Sequence, residues 1–431
     1  MRRLGALLLV GAFAGPASAA ELTRIASSFD AKDPFGMFLD VGYERTQHRT
    51  KIVREFHQQG TLEDVTELRY VGIDSRLNLD LRLGLWQDLE FRYGLPIVFQ
   101  QHRRWRFDSN TGPNNSTISN NCLQANGELL DPGCPTTGAG QRPLFEVGDT
   151  TDSYRAGLGD MTFGLAYAFF NQRRDDTKPT WILGIDYTAP TTAMLDPTVT
   201  TARDSAGALG DRHHKYKFYT SLSRRVGVAD PYFQIHYTLA YRGPGWYSNC
   251  DNPDPRTMGR PENCNTEQWT RSDTGIRLPH VGGIVFGSEF NAYDLPSKHQ
   301  KFAIDLRGYV TYVSEGRYYN EMSDLFAKLL YTQDHLQLGG QFGIVAHAAE
   351  YVHLRASAAL LYNTEHNLTD ETIGKDFAGP GGQGPNGTVD ITQVPIELNP
   401  NFDWRTDMVS RRFRATETSI FRLDLSASFN F

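Results

Sequence analysis

Beyond its first twenty positions the 431-residue sequence has no run of about 18 apolar residues, and this excludes a helical membrane span there. It is also short of aliphatic bulk: hydrophobic residues make up 39%, below the roughly 45–50% of ordinary globular chains. Cationic excess is missing as well, with 43 Lys and Arg against 50 Asp and Glu and a net charge of −7. No field gathers polyanions, so no nucleic-acid partner is expected. The sequence contains no G-x-S-x-G, H-E-x-x-H or C-x-x-C, and no His and Ser two apart on one strand face. The reading is therefore a protein that is not an enzyme, with no cofactor and no metal site. None of these absences bears on a β-barrel, whose apolar signal recurs only at every second residue. Aromatics, at 12%, and 40 glycines are what the sequence has in quantity.

Arg2 and Arg3, the apolar stretch Leu4–Ala14 and the small residues Ala17-Ser18-Ala19 form a secretory signal. Residues 1–20 are read as that signal and residues 21–431 as one barrel domain. Export permits disulfides, and the four cysteines fall as two local pairs in polar stretches, Cys122 with Cys134 and Cys250 with Cys264. A four-thiolate metal site fits these spacings poorly.

The last eleven residues, Phe421–Phe431, alternate apolar and polar without a break. Five hairpins with one apolar and one charged face precede them. Leu77–Leu83 turns at Trp86–Asp88 into Leu89–Phe99, and Met161–Phe169 turns at 171–179 into Trp181–Tyr187. Tyr216–Leu222 turns near 227–230 into Phe233–Tyr241. Ile284 and Phe286 lead through 293–299 to Phe302–Tyr312, and Leu336–Ile344 leads through 348–350 to Val352–Tyr362. With a first strand over Leu39, Val41 and Tyr43, the count is about twelve. Long connections at 47–63, 105–153, 190–213, 244–277, 314–334 and 364–414 then share one end. The fold class is an all-β transmembrane antiparallel barrel with long outer loops and short periplasmic turns. A secreted β-sandwich also alternates, but here aromatics crowd the strand ends and the opposite face carries ions.

The terminal strand resembles the assembly signal of bacterial outer-membrane barrels, with Phe429 and Phe431 as its aromatic residues. Its readers would be the barrel assembly machinery and its surroundings outer-membrane lipid, with loops on the cell surface. Gly157-Leu158-Gly159-Asp160 with Gly164, Tyr167 and Phe169 resembles the pattern of the outer-membrane family named for the meta-pathway of phenol degradation. Pro190-Thr191-Thr192 is similar to that family's strand ending, although Thr192 stands where glycine is usual. Leu83-Gly84-Leu85, Asp88-Leu89-Glu90 and Gly94-Leu95-Pro96 match a third stretch. The resemblance implies a barrel that passes small, often hydrophobic compounds.

The charged face carries Arg76, Asp80, Arg82, Glu90, Arg92, Asp305, Arg307, Arg422 and Asp424, the lumen and selectivity candidates. Cross-lumen bracing and solute selection are both open to them. Arg76, Arg82 and Arg92 are the expected constriction. The expected function is passage of a small-molecule solute by passive diffusion through this lumen. A non-conducting barrel that displays its loops to a surface partner, and less favourably a lipid-modifying barrel, are the alternatives. His213-His214, Asp251 with Asp254 and the glycine-rich run 378–387 read as solvated loop residues.

Overall fold

The computed structural model describes residues 20–29, 35–58, 61–113, 115–118, 144–199, 201, 207–255, 257–295, 300–349, 351–379 and 384–431. Sixteen strands follow in chain order. They begin β1 (Met37–Gln58), β2 (Thr61–Trp86), β3 (Leu89–Phe107), β4 (Ser153–Leu158), β5 (Thr162–Phe170) and β6 (Thr180–Thr188). Next come β7 (His213–Ser223), β8 (Ala229–Arg242), β9 (Val281–Leu295), β10 (Gln300–Val313), β11 (Gly316–Tyr318) and β12 (Leu330–Thr332). The last are β13 (His335–Ala349), β14 (Val352–Asn363), β15 (His366–Asn367) and β16 (Phe413–Asn430).

Twelve of them form one closed antiparallel wall in the order β1-β2-β3-β5-β6-β7-β8-β9-β10-β13-β14-β16, and β16 returns to β1. At the seam Phe38 faces Asn430 and Arg54 faces Phe413. The main chains of Met37 and Phe431 exchange both hydrogen bonds, 2.9 and 3.1 Å. Closure removes the unpaired edge that hydrocarbon does not tolerate. The shortest wall strands, β5 and β6, have nine residues, about what a tilted strand needs to cross a bilayer. Outward positions such as Leu165, Phe218, Ile235, Phe286, Leu306 and Phe421 are apolar and exposed, while most of their inward neighbours are charged, polar or small. Among the described residues no helix is long and apolar enough to cross a membrane.

All twelve expected strands are present. The expected outer loop at 47–63 is not: β1 and β2 run on as a hairpin in which Gln58 faces Thr61. The reason is a reversal of polarity between the faces. In this outer half Ile52, Leu68 and Tyr70 point inward and are buried, whereas Arg49 and Arg69 are exposed. Water lies outside and a packed core inside, so a search for outward apolar residues reads the stretch as a loop.

That inner core joins Ile52, Leu68, Tyr70 and Trp105 of the wall to loop residues Ile118, Met322, Phe326, Leu330 and Leu368 and to Phe413. Trp105 is fully buried and its indole N–H donates to the Glu321 carbonyl at 2.7 Å. The long connections thus fold over and into one end of the barrel, the end expected to be the outer one.

Candidate functional site

The lumen holds a piece of chain that precedes the barrel. Residues 20–28 run across the end where the strands are joined by short turns, anchored in turn on most of the wall. Ala20 packs on Tyr232 and Val285. The Glu21 N–H donates to Glu289 Oε1 at 2.7 Å, and its carboxylate pairs with Arg355 and, at 3.7 Å, Arg307. Thr23 and Ser223 share a hydroxyl hydrogen bond of 2.6 Å. Arg24 donates to His353 Nδ1 at 2.6 Å and Ser428 Oγ at 2.7 Å, and its guanidinium lies 4.0 Å from the Phe38 ring centre. Ile25 joins Ala166, Ala168 and Ile182, and the Ala26 N–H donates to Glu90. Nothing in the composition of residues 20–28 announced this, because their partners are scattered across ten strands.

Above the segment lies a cavity of about 390 Å³ whose lining includes Asp80, Arg82, Arg92, Asp186, Lys217 and Arg307. Four of the expected lumen residues are among these. The others stand elsewhere in the lumen. Glu90 is fully buried beneath Ala26 and also pairs with Arg92. Asp305, fully buried, binds Arg307 at 2.7 Å and Arg355 at 2.6 Å and accepts the Tyr232 hydroxyl. Arg422 pairs with Asp424 at 3.2 Å and donates to Gln341 at 3.2 Å. The expected constriction residues do not converge on a ring: Arg76 is held by Glu44 at 2.6 Å, Arg82 by Asp40 at 2.6 Å and Arg92 by Glu90. Each is braced along the wall by a carboxylate: Glu90 two residues from Arg92 on the same strand, Glu44 directly opposite Arg76, and Asp40 diagonally across from Arg82. Among the described residues no group of three or more His, Cys, Asp or Glu is placed to hold a metal ion.

The two glycine- and threonine-bearing stretches that suggested a family meet in space. Asp160 accepts from the Thr192 N–H at 2.9 Å and its hydroxyl at 2.7 Å, and the Met161 N–H donates to Thr191 Oγ1 at 3.1 Å. They pin the break between β4 and β5, where Gly159 N–H reaches the Pro96 carbonyl at 2.8 Å. Thr192 replaces the usual glycine by supplying a second hydrogen bond. These residues shape the wall and do not line the cavity.

The outer cap is held by buried polar contacts. Arg155 binds Asp324 at 2.7 Å, Arg317 binds Glu371, and Lys328 donates to the Thr257 and Asn401 carbonyls. Burial pushes Asp407 up to about 7, against the pull of Lys328. Cys250 and Cys264 are bonded, and Asn249 beside them joins the Leu329 carbonyl to Asn401 at 2.9 Å each. Cys122 and Cys134 lie outside the described residues, as do all but the last of the twenty residues expected to form a signal. Asp251 is occupied by Arg271 at 2.7 Å. His213 Nδ1 contacts the Asp211 carbonyl at 2.8 Å and His214 the Tyr187 hydroxyl at 2.7 Å.

The chain is thus a membrane-spanning antiparallel β-barrel with a lumen filled from both ends. No protein-family model and no curated protein matches the sequence, and the meta-pathway family is not confirmed. Solved structures similar to it include an outer membrane channel from Pseudomonas putida F1, with 13% identity and a TM-score of 0.42 over 92% of this chain and 96% of that one. A mutant of TodX, a monoaromatic hydrocarbon channel, has 10% identity and a TM-score of 0.33 over 92% and 91%. The outer membrane protease OmpT from Escherichia coli has 6% identity and a TM-score of 0.30 over 95% and 100%. With a protease beside the channels, the expectation that this chain is not an enzyme is withdrawn. Identities and scores this low carry no substrate from those proteins to this one.

Proposed function

We propose that this chain is an outer-membrane uptake channel for small-molecule solutes, closed at rest by residues 20–28. The observation that carries the reading is the polar cavity, about 390 Å³, held inside a closed wall between that segment and the outer cap. The segment suits a gate because of how it is held. Its anchors are mostly hydrogen bonds and ion pairs, which water can replace at a net cost of about 1–3 kcal/mol each, while the wall is a continuous ladder. It is therefore the first part of the lumen to leave. A solute would then pass Asp80, Arg82, Arg92 and Arg307 by passive diffusion, and the charges lining the path would set its selectivity.

Liposome swelling tests this. Barrels of the mature chain should admit small solutes slowly, and barrels lacking residues 20–28 should admit them much faster. If both are as tight as protein-free liposomes, the reading fails and the barrel serves as an anchor for its outer loops.

A further inference from the structure

Where residue 20 enters the barrel wall, two buried carboxylates are short of positive charge. Asp230 on β8 and Glu289 on β9 face each other directly in the ladder and are 1% and 2% exposed. Like charges placed opposite each other repel, and buried charge needs a partner. Glu289 accepts the Glu21 N–H. Neither oxygen of Asp230 has a hydrogen-bond partner, nor do the amide oxygen and nitrogen of the neighbouring Asn291. The cations nearby are mostly committed: Arg225 binds Asp294 at 3.0 Å, and Arg307 binds Asp305 and Glu21. Lys301, 7% exposed, is one ammonium for two carboxylates.

The missing cation is one bond away. Ala20 is fully buried against Tyr232 and Val285, and its main-chain nitrogen faces the Asp230 carboxylate without closing a hydrogen bond. As an amide it has one N–H, fixed in the peptide plane. As an amine it would have three that rotate. We infer that the signal is cut between Ala19 and Ala20, and that the new α-ammonium of Ala20 locks into the Asp230, Glu289 and Asn291 pocket. The cut is a hydrolysis by a signal-peptidase-class enzyme: water adds across the Ala19–Ala20 peptide bond, Ala19 leaves with the carboxylate, and the Ala20 amine takes up a proton. Ala17 and Ala19 then occupy the small-residue positions such an enzyme requires. A chain cut after Ala20 has its ammonium at Glu21, where Glu289 is already engaged by that nitrogen, and leaves Asp230 without a partner. The periplasmic seal is thereby completed only in the processed chain, which ties closure of the lumen to export.

The test begins with the mature barrel purified from outer membranes, whose N-terminal residue is read by mass spectrometry. The folded barrel is then exposed to an amine-acylating reagent, alongside the Asp230→Asn barrel and a refolded chain that keeps Ala19, each verified as folded by heat-shifted gel migration. The expected result is a chain beginning at Ala20 whose α-amine is acylated at least about tenfold more slowly than in either control, because reaction requires local opening. A chain beginning at another residue overturns the inference. So does an Ala20 amine that reacts as fast as the amine of the Ala19-retaining chain, a comparison that stands even where Asp230→Asn does not fold.

Discussion

Asp160 does the work of a backbone group with a side chain: its carboxylate takes two hydrogen bonds from Thr192 and so fixes the end of β6 against the break between β4 and β5. Asp160→Ala should lower the stability of the refolded barrel by about 1–3 kcal/mol, read as a lower temperature for loss of the heat-shifted gel band, and Thr192→Val should add little once Asp160 is gone. An additive pair of losses would contradict the linkage. Arg82 makes a similar case with charge. Held between Asp40 at 2.6 Å and the Phe38 ring at 4.9 Å, it braces β2 to β1 while facing the cavity. Arg82→Glu should destabilise the barrel by about 2–5 kcal/mol, since it takes the paired cation from Asp40, which already faces Asp80 across the ladder, and adding Asp40→Arg should restore most of it. Recovery of stability without recovery of ion selectivity would assign the pair to bracing.

At the scale of elements, the strands were legible because one face meets lipid and the other does not, and every outward residue from Leu77 to Leu83 repeats that fact. The outer halves of β1 and β2 were not legible, because there the apolar face turns inward to meet Phe326 and Phe413. The expected lumen residues could be read from the phase of the alternation alone, so Asp80, Arg82 and Arg92 were found. The partners of Arg76, Arg82 and Arg307 could not, since Glu44, Asp40 and Tyr232 are brought close only by the folded wall. Residues 20–28 have no periodicity to read. The outer cap carries its own titration. Asp407 titrates at about 7 in the folded cap and near about 3.9 in an unfolded chain, so between those values the folded cap binds the extra proton. That contribution is complete below about 3.9 and is lost as pH rises through about 7. Proteolysis of the outer loops should therefore be slower at about pH 5 than at about pH 8, and Asp407→Asn should flatten the difference. A cap that tightens as pH rises would contradict this.

At the scale of the molecule, the wall closes through the main chains of Met37 and Phe431, while the Phe431 ring itself is 60% exposed. Closure at this residue uses the main chain and leaves the side chain out. Phe431→Ala should refold in detergent as well as the parent chain yet accumulate poorly in outer membranes, if the terminal aromatic is read by the assembly machinery. Equal accumulation would remove that role. The same wall is obstructed at both ends, and on the proposed reading the segment of residues 20–28 is the obstruction that opens. Planar-bilayer conductance tests this most directly, comparing the mature barrel with one lacking residues 20–28 after both are shown to be folded. The account predicts a nearly silent parent and discrete, salt-dependent steps from the shortened barrel; a shortened barrel as silent as the parent would contradict it.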